Sequence, residues 1–300
     1  MSLDQLFVLK NKPTIAVPFP QDHAVLFTMK YALDHNWADF LLIGDRSIII
    51  EAARNHGIDG ASMEILPASQ EDEACQIAAQ AIAEGRASAA MKGAVHSGTF
   101  SKAMFSSTRG LMNPGRLGSH VGILDLPVYP KPLFLTDCAI NINPTYEQKI
   151  EILRNVLELA QTLGVQQPKV GLLAPVETVN PKIPSTVDAQ RLKEAYHSGE
   201  LKDLPKGAIL DGPFGIDVAL SAEAARIKGI PSQVAGDVDI LLFPDLTSGN
   251  VAYKTFTFAG KGTIAGVLTG ARIPQILTSR ADSDQTKLLA LRLGVSLAGG

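Results

Sequence analysis

The stretch LTSRADSDQTKL, which begins at Leu277, sets a dense group of polar residues where an apolar run gives way to a helix pattern. Ser279 or Ser283 suits a helix N-cap, and Asp282 or Asp284 suits the positive end of the helix that follows. Arg280 does not fit that account, because a cation beside a helix N-terminus is disfavoured unless it is paired. Either Asp282 pairs with it, or Arg280 holds an anion beside the exposed amides. A second cluster is LLFPDLTSGNVAYKTF. Pro244 and Asp245 close an apolar run, and Ser248, Gly249 and Asn250 open a helix. A turn with a cap explains these residues, and so does a ligand held by Asn250 and the helix amides. Lys254, one turn beyond Asn250, is either a solvated lysine or a ligand contact.

Two further clusters are less specific. In KGAVHSGTFSKA, His96 is a base candidate or a core-facing histidine, and Gly98 with Ser101 is a common pattern that only weakly suggests a phosphate cradle. In ILDGPFGID, Asp211 and Asp217 flank a Gly-Pro pair. Two acids suit a divalent metal only with more ligands, and turn and cap roles explain them as well. Several signatures are missing. GKGT at Gly260 lacks the upstream glycine of a Walker loop, no GxGxxG follows the first strand, and there is no GxSxG or HExxH.

The elements that must position these clusters read as strand and helix in alternation. PTIAVP, DFLLIGD, MEILPA, KVGLLAP, GAILDGP and DILLFPD are short apolar runs closed by Gly, Asp or Pro, as strands. AVLFTMKYALDHN, EDEACQIAAQAIAEG and TYEQKIEILRNVLELAQTLG carry apolar residues at helical spacing, and the last is the strongest helix, with Ile150, Leu153, Val156, Leu157 and Ala160 on one face. DVALSAEAARIKGI reads as one helix, and STVDAQRLKEAYHSG as a helix opened by a Ser-Thr cap. VGILDLP and KPLFLTDCAI have no helix between them and suit an antiparallel pair. GLMNPGRLGSH reads as an exposed loop. The fold class is therefore α/β, in which ligands gather beyond the carboxyl ends of strands.

Bulk properties narrow the function. The 300 residues are 46% hydrophobic, enough for two modest cores or one large one. With 27 basic and 30 acidic residues the net charge is -3, which offers nothing to a nucleic acid. Cys75 and Cys138 are far apart and lack metal-ligand spacing, so free thiols in a reducing compartment are expected. No long apolar segment marks a signal peptide or a membrane span. A cytoplasmic protein is the expectation.

Taken in order, GAVHSG, TDCAININP, KVGLLAPVE, LDGPFGIDVALS, VAGDVDILLFPDLTSGNVAYKTF and LTSRADSDQTK resemble the phosphate acetyltransferase and phosphate butyryltransferase family, from about Ile15 to the end. The resemblance implies interconversion of acyl-CoA plus phosphate with acyl phosphate plus CoA, with a butyryl or acetyl group. It implies a two-domain α/β fold like that of the isocitrate and isopropylmalate dehydrogenases, with an interdomain cleft. On this chain the domains would be 1–140 plus 272–300, and 141–271. It further implies CoA as a substrate, no metal or prosthetic group, and a homodimer or larger homo-oligomer. Ser279 and Arg280 match active-site residues of the acetyl branch. Thr286 stands where that branch has its proposed base, so Asp282 and Asp284 are the acids that would replace it. An acetyl-branch arginine has no counterpart in the segment after His96, and Arg116 is the substitute expected to contact an anion. His96, Asp245, Ser248, Gly249, Asn250 and Lys254 complete the expected substrate-binding set. The SHV after Arg116 and the SRADSD block stand closer to the butyryl branch. The rival readings are an NAD-dependent dehydrogenase on the related fold and a catalytically weak member that binds CoA or acyl phosphate.

Overall fold

The computed structural model describes residues 3–277 and 283–299. The strands in chain order are β1 (Thr14–Pro18), β2 (Asp39–Gly44), β3 (Glu64–Pro67), β4 (Ala89–Met91), β5 (Ser119–Asp125), β6 (Leu133–Thr136), β7 (Lys169–Leu173), β8 (Ile209–Phe214), β9 (Ile240–Leu242), β10 (Thr263–Thr269) and β11 (Gln275–Ile276). The chain divides into two compact units, Phe7–Gly118 with Ala265–Gly300 and Met1–Leu6 with Ser119–Ile264. The sequence reading set the first boundary near 140, whereas the units divide before Ser119. The pairing explains the difference. β5 and β6 form the antiparallel pair expected from their short connection, and β6 then pairs in parallel with β9, which ties 119–136 to the later strands.

In the unit holding the N-terminal strands, the strand order is β3-β2-β1-β4-β11-β10. β1 lies parallel to β2 and β4, and β11 is parallel to β4 and antiparallel to β10. Period-2 alternation sorts the strand residues to two faces. Ile15, Val17, Phe40, Leu42, Ala89 and Met91 join a core with Leu26 and Met29 from the helix His23–Asp34 and Leu291 and Val295 from the helix Asp284–Ala298. Ala16, Leu41, Ile43 and Ala90 face the helices Glu71–Ala83 and Ser97–Met104. Leu111 and Met112 are buried, and so are Ser119 and His120 at the start of β5, so GLMNPGRLGSH is anchored at both ends and not an exposed loop throughout. Met112 also bridges Ala271.

In the other unit the order is β5-β6-β9-β7-β8. β7 pairs with β8 on one side and with the later β9 on the other, so the sheet changes direction at β7. The helix Tyr146–Thr162 has a full capping box, in which Thr145 and Gln148 satisfy each other's backbone. The helix Pro184–His197 starts at Pro184, a favoured first residue, so Ser185 and Thr186 lie inside its first turn. The DVALSAEAARIKGI segment is two short helices, Ile216–Leu220 and Ala222–Ile227. Ser221 breaks them by taking extended backbone angles, and its side chain caps the second by accepting the Ala224 N–H. No described helix is long and apolar enough to cross a membrane.

Candidate active site

The PDLTSGN block sits at the carboxyl end of β9, beside the change of direction in its sheet, where open α/β sheets place ligands. Asp245 caps the helix Leu246–Lys254 by accepting the Ser248 N–H at 2.9 Å, and Ser248 Oγ donates to Asp245 O at 2.9 Å. Gly249 is buried against the turn that follows β6. A Cβ there would stand 2.3 Å from Asp137 O, so no larger residue fits without movement. Asn250 Nδ2 donates to Cys138 O at 3.1 Å, and Leu246 N–H donates to Ile142 O at 3.0 Å. The turn itself is organised by Asp137, whose carboxylate accepts the N–H groups of Ala139, Ile140 and Asn141 and the Asn141 amide. The TDCAIN and PDLTSGN blocks are thus one construction. Asn250 keeps an exposed side chain, and half-buried Lys254 lies 5.1 Å from the Tyr253 ring centroid.

The acids of ILDGPFGID are each taken up locally. Asp211 accepts from Ser232 Oγ and pairs with Lys193 at 2.7 Å. Asp217 pairs with Lys228 at 2.9 Å, whose hydrogen bond holds its carboxyl below the usual range. Lys228 also binds Glu177, the acid of KVGLLAPVE, and Glu177 accepts the Gly215 N–H. Among the described residues no group of three or more His, Cys, Asp or Glu is placed to hold a metal.

The remaining candidates belong to the unit of the N-terminal strands. His96 is exposed, not core-facing, and stands at the N-cap position of the helix Ser97–Met104, where its N–H donates to Glu71 Oε2 at 3.0 Å. Arg116 is half-buried, and its N–H closes a turn onto Asn113 O at 3.2 Å. Ser279, Arg280 and Asp282 lie outside the described residues. Asp284 is exposed at the first position of the helix Asp284–Ala298, and Ser283 is its cap. The structure therefore joins Asp245, Ser248, Gly249 and Asn250 in one helix start, with Lys254 at the same helix's end. His96 and Asp284 open helices that pack on opposite faces of their sheet.

Sequence reasoning overlooked two buried lysines in the unit of the N-terminal strands. Lys92 follows β4, is 8% exposed, and donates from Nζ to Gly93 O at 3.1 Å and Val95 O at 3.2 Å, fixing the turn before His96. Lys287 is 7% exposed on the helix Asp284–Ala298. The signal was present in both cases: a lone lysine within an apolar run, or on a helix face otherwise made of Ala290, Leu291 and Gly294.

The family described as phosphate acetyl/butaryl transferase matches residues 59–293. The chain belongs to the phosphate acetyl/butyryl transferase family. The phosphate butyryltransferase of Clostridium acetobutylicum is 37% identical over 290 residues, covering 97% of this chain and 95% of that protein. The phosphate acetyltransferase of Rhizobium meliloti is 40% identical over 248 residues, covering 83% of this chain and 77% of that protein. Among solved structures, a branched-chain phosphotransacylase from Enterococcus faecalis superposes with a TM-score of 0.81 at 32% identity, covering 95% of this chain and 99% of that one.

Proposed function

We propose that this chain moves a short acyl group between CoA and phosphate, with a four-carbon chain preferred over acetyl. The observation that supports this most directly is the similarity to phosphate butyryltransferases over nearly the whole chain. In one direction the CoA thiol loses its proton, and the thiolate attacks the acyl phosphate carbonyl. The carbon–sulfur bond forms as the carbonyl electrons move to oxygen, and collapse of that oxyanion expels phosphate. Ser279 and Arg280 are the proposed donors to phosphate or the oxyanion, with Asp282 or Asp284 as the proton acceptor. The amides at the start of the helix Leu246–Lys254, with Asn250 and Lys254, are the proposed contacts for the rest of the substrate, and His96 and Arg116 are proposed as further substrate contacts. Both substrates bind together, so no acyl-enzyme forms. The proposal includes no metal or prosthetic group, a cytoplasmic location, and a homodimer or larger assembly.

The deciding assay follows thiol release from acetyl-, propionyl-, butyryl- and isobutyryl-CoA with inorganic phosphate. Phosphate-dependent release with the largest kcat/KM for a four-carbon ester is expected. The isobutyryl arm is included because the Enterococcus faecalis neighbour is a branched-chain phosphotransacylase. No release with any ester would sink the reading, and ping-pong kinetics with a trapped acyl-enzyme would sink the mechanism.

A further inference from the structure

The helix Asp284–Ala298 turns one face to its sheet. Ala290, Leu291 and Val295 share a core with Ile276 of β11, and a Cβ on Gly294 would stand 2.3 Å from Ile276 Cγ1. Lys287 lies on that same face, about two turns nearer the helix N-terminus than Gly294. At 7% exposure it is buried to a degree that lysines almost never reach without a partner. Yet its ammonium makes no hydrogen bond and no ion pair with any described residue. Asp284, three positions earlier, is exposed and forms no ion pair with it. Nζ is not fully enclosed, so the tip of this otherwise buried side chain keeps some contact with solvent.

The surroundings of that tip favour a negative charge. Helical side chains lean toward the N-terminus of their helix, which carries the Lys287 stem back toward the first turn. In that turn Ser283 Oγ accepts the Thr286 N–H, and Ser283 O accepts the Lys287 N–H. The N–H groups of Asp284 and Gln285 have no acceptor among the described residues. The helix thus presents free amides and the positive end of its dipole, and one exposed carboxylate, Asp284, partly offsets them. A buried ammonium without a counter-charge is costly, and an arriving oxyanion removes that cost.

We propose that Lys287 and the first turn of the helix Asp284–Ala298 form a phosphoryl-oxyanion site used by the acyl-transfer reaction. This rests on the acyltransferase reading. Its source is either the transferred phosphate or a phosphate of CoA, since both present the same chemistry. The test compares the wild type with Lys287→Met, which keeps the stem and removes the charge, and Lys287→Arg, which keeps the charge. Lys287→Met raises the KM of one phosphorylated substrate by about tenfold or more, equivalent to ~1.4 kcal/mol, and Lys287→Arg recovers most of the loss. A rise confined to inorganic phosphate assigns the transferred group, and a rise confined to acyl-CoA assigns a phosphate of CoA. Both KM values within about twofold of wild type (~0.4 kcal/mol) would overturn the site, as would a lowered Tm with unchanged KM values. Titration of inorganic phosphate and of CoA into each protein, without turnover, separates the two ideas. A wild type that transfers no acyl group ends the acyltransferase reading. In that case weaker binding by Lys287→Met sustains the anion site, and equal or absent binding overturns it.

Discussion

Ser283 Oγ accepts the Thr286 N–H at 3.2 Å and lies 3.1 Å from Thr286 Oγ1. The resemblance puts Thr286 where the acetyl branch has its proposed base, and here it is the partner of a helix cap. The two residues should therefore respond differently to truncation. Ser283→Ala removes the acceptor for an otherwise unpaired amide and should cost ~1 kcal/mol of stability. Thr286→Ala keeps the backbone bond and should change kcat by no more than about twofold, ~0.4 kcal/mol on the barrier. Denaturant titration and steady-state kinetics check both. A large loss of kcat in Thr286→Ala, with stability unchanged, would return a chemical role to this hydroxyl.

Gly249 is fixed by its neighbour and not by its backbone angles. The Cβ of Gly249→Ala would meet Asp137 O at 2.3 Å, a backbone atom that cannot swing away. The helix start and the turn after β6 must separate, at a cost of about 1–3 kcal/mol. The variant should show a lower denaturation midpoint with an unchanged m value. It should also raise KM for the acyl substrates, because Asn250 loses its register on Cys138 O. Unchanged stability would mean that the two blocks are not tied as closely as this contact requires.

Much of this arrangement was legible in the residues, and the reasons for the exceptions are specific. The strand runs were closed by Gly, Asp or Pro, so the α/β class and the antiparallel β5–β6 pair followed from pattern alone. Asp245 was readable as a cap, since Asp before a helix pattern with free amides behind it is a strong local signal. The tie between Gly249 and Asp137 was not readable, because it joins residues far apart in sequence through a backbone oxygen. For His96 the residues left a base candidate and a core-facing histidine both open, since a histidine after small residues reads alike at a buried strand end and at the exposed N-cap where it stands. The Ser221 break escaped notice because its cap lies within a run of good helix formers. Lys287 escaped because charge on a helix is ordinarily solvated.

Neither thiol should react in the native state. Cys75 is buried on the helix Glu71–Ala83, and burial, followed by Asp72 and Glu71, pushes its thiol from 9.0 up to about 12. Burial raises the Cys138 thiol well above its ordinary value too. A thiol reagent at neutral pH should label the protein only after denaturation. The sign of the linkage is also determined. Below pH 9.0 Cys75 is protonated in both states, and above it the unfolded chain loses the proton first, so stability falls as pH rises from 9.0 toward about 12. Its slope is at most about 1.4 kcal/mol per pH unit. Cys75→Ala should lose stability more gently over that range than the wild type. Equal slopes would show that the thiol ionises as readily in the folded protein.

The 279–284 acids and Arg280 can be separated by kinetics. Arg280→Ala removes the proposed donor to phosphate or oxyanion and should lower kcat/KM by roughly a hundredfold, ~2.7 kcal/mol. Asp284 is exposed in the first turn of its helix, so Asp284→Asn should cost under ~1 kcal/mol of stability from the lost dipole interaction. That leaves its effect on turnover readable without a folding defect. If Asp284 takes the thiol proton, Asp284→Asn lowers kcat in the acyl phosphate plus CoA direction, and raising the pH partly restores it, because more CoA is already thiolate. The same pattern in Asp282→Asn transfers the role to that residue. If both variants keep full kcat at every pH, neither acid is the base, and the thiol is deprotonated elsewhere in the site.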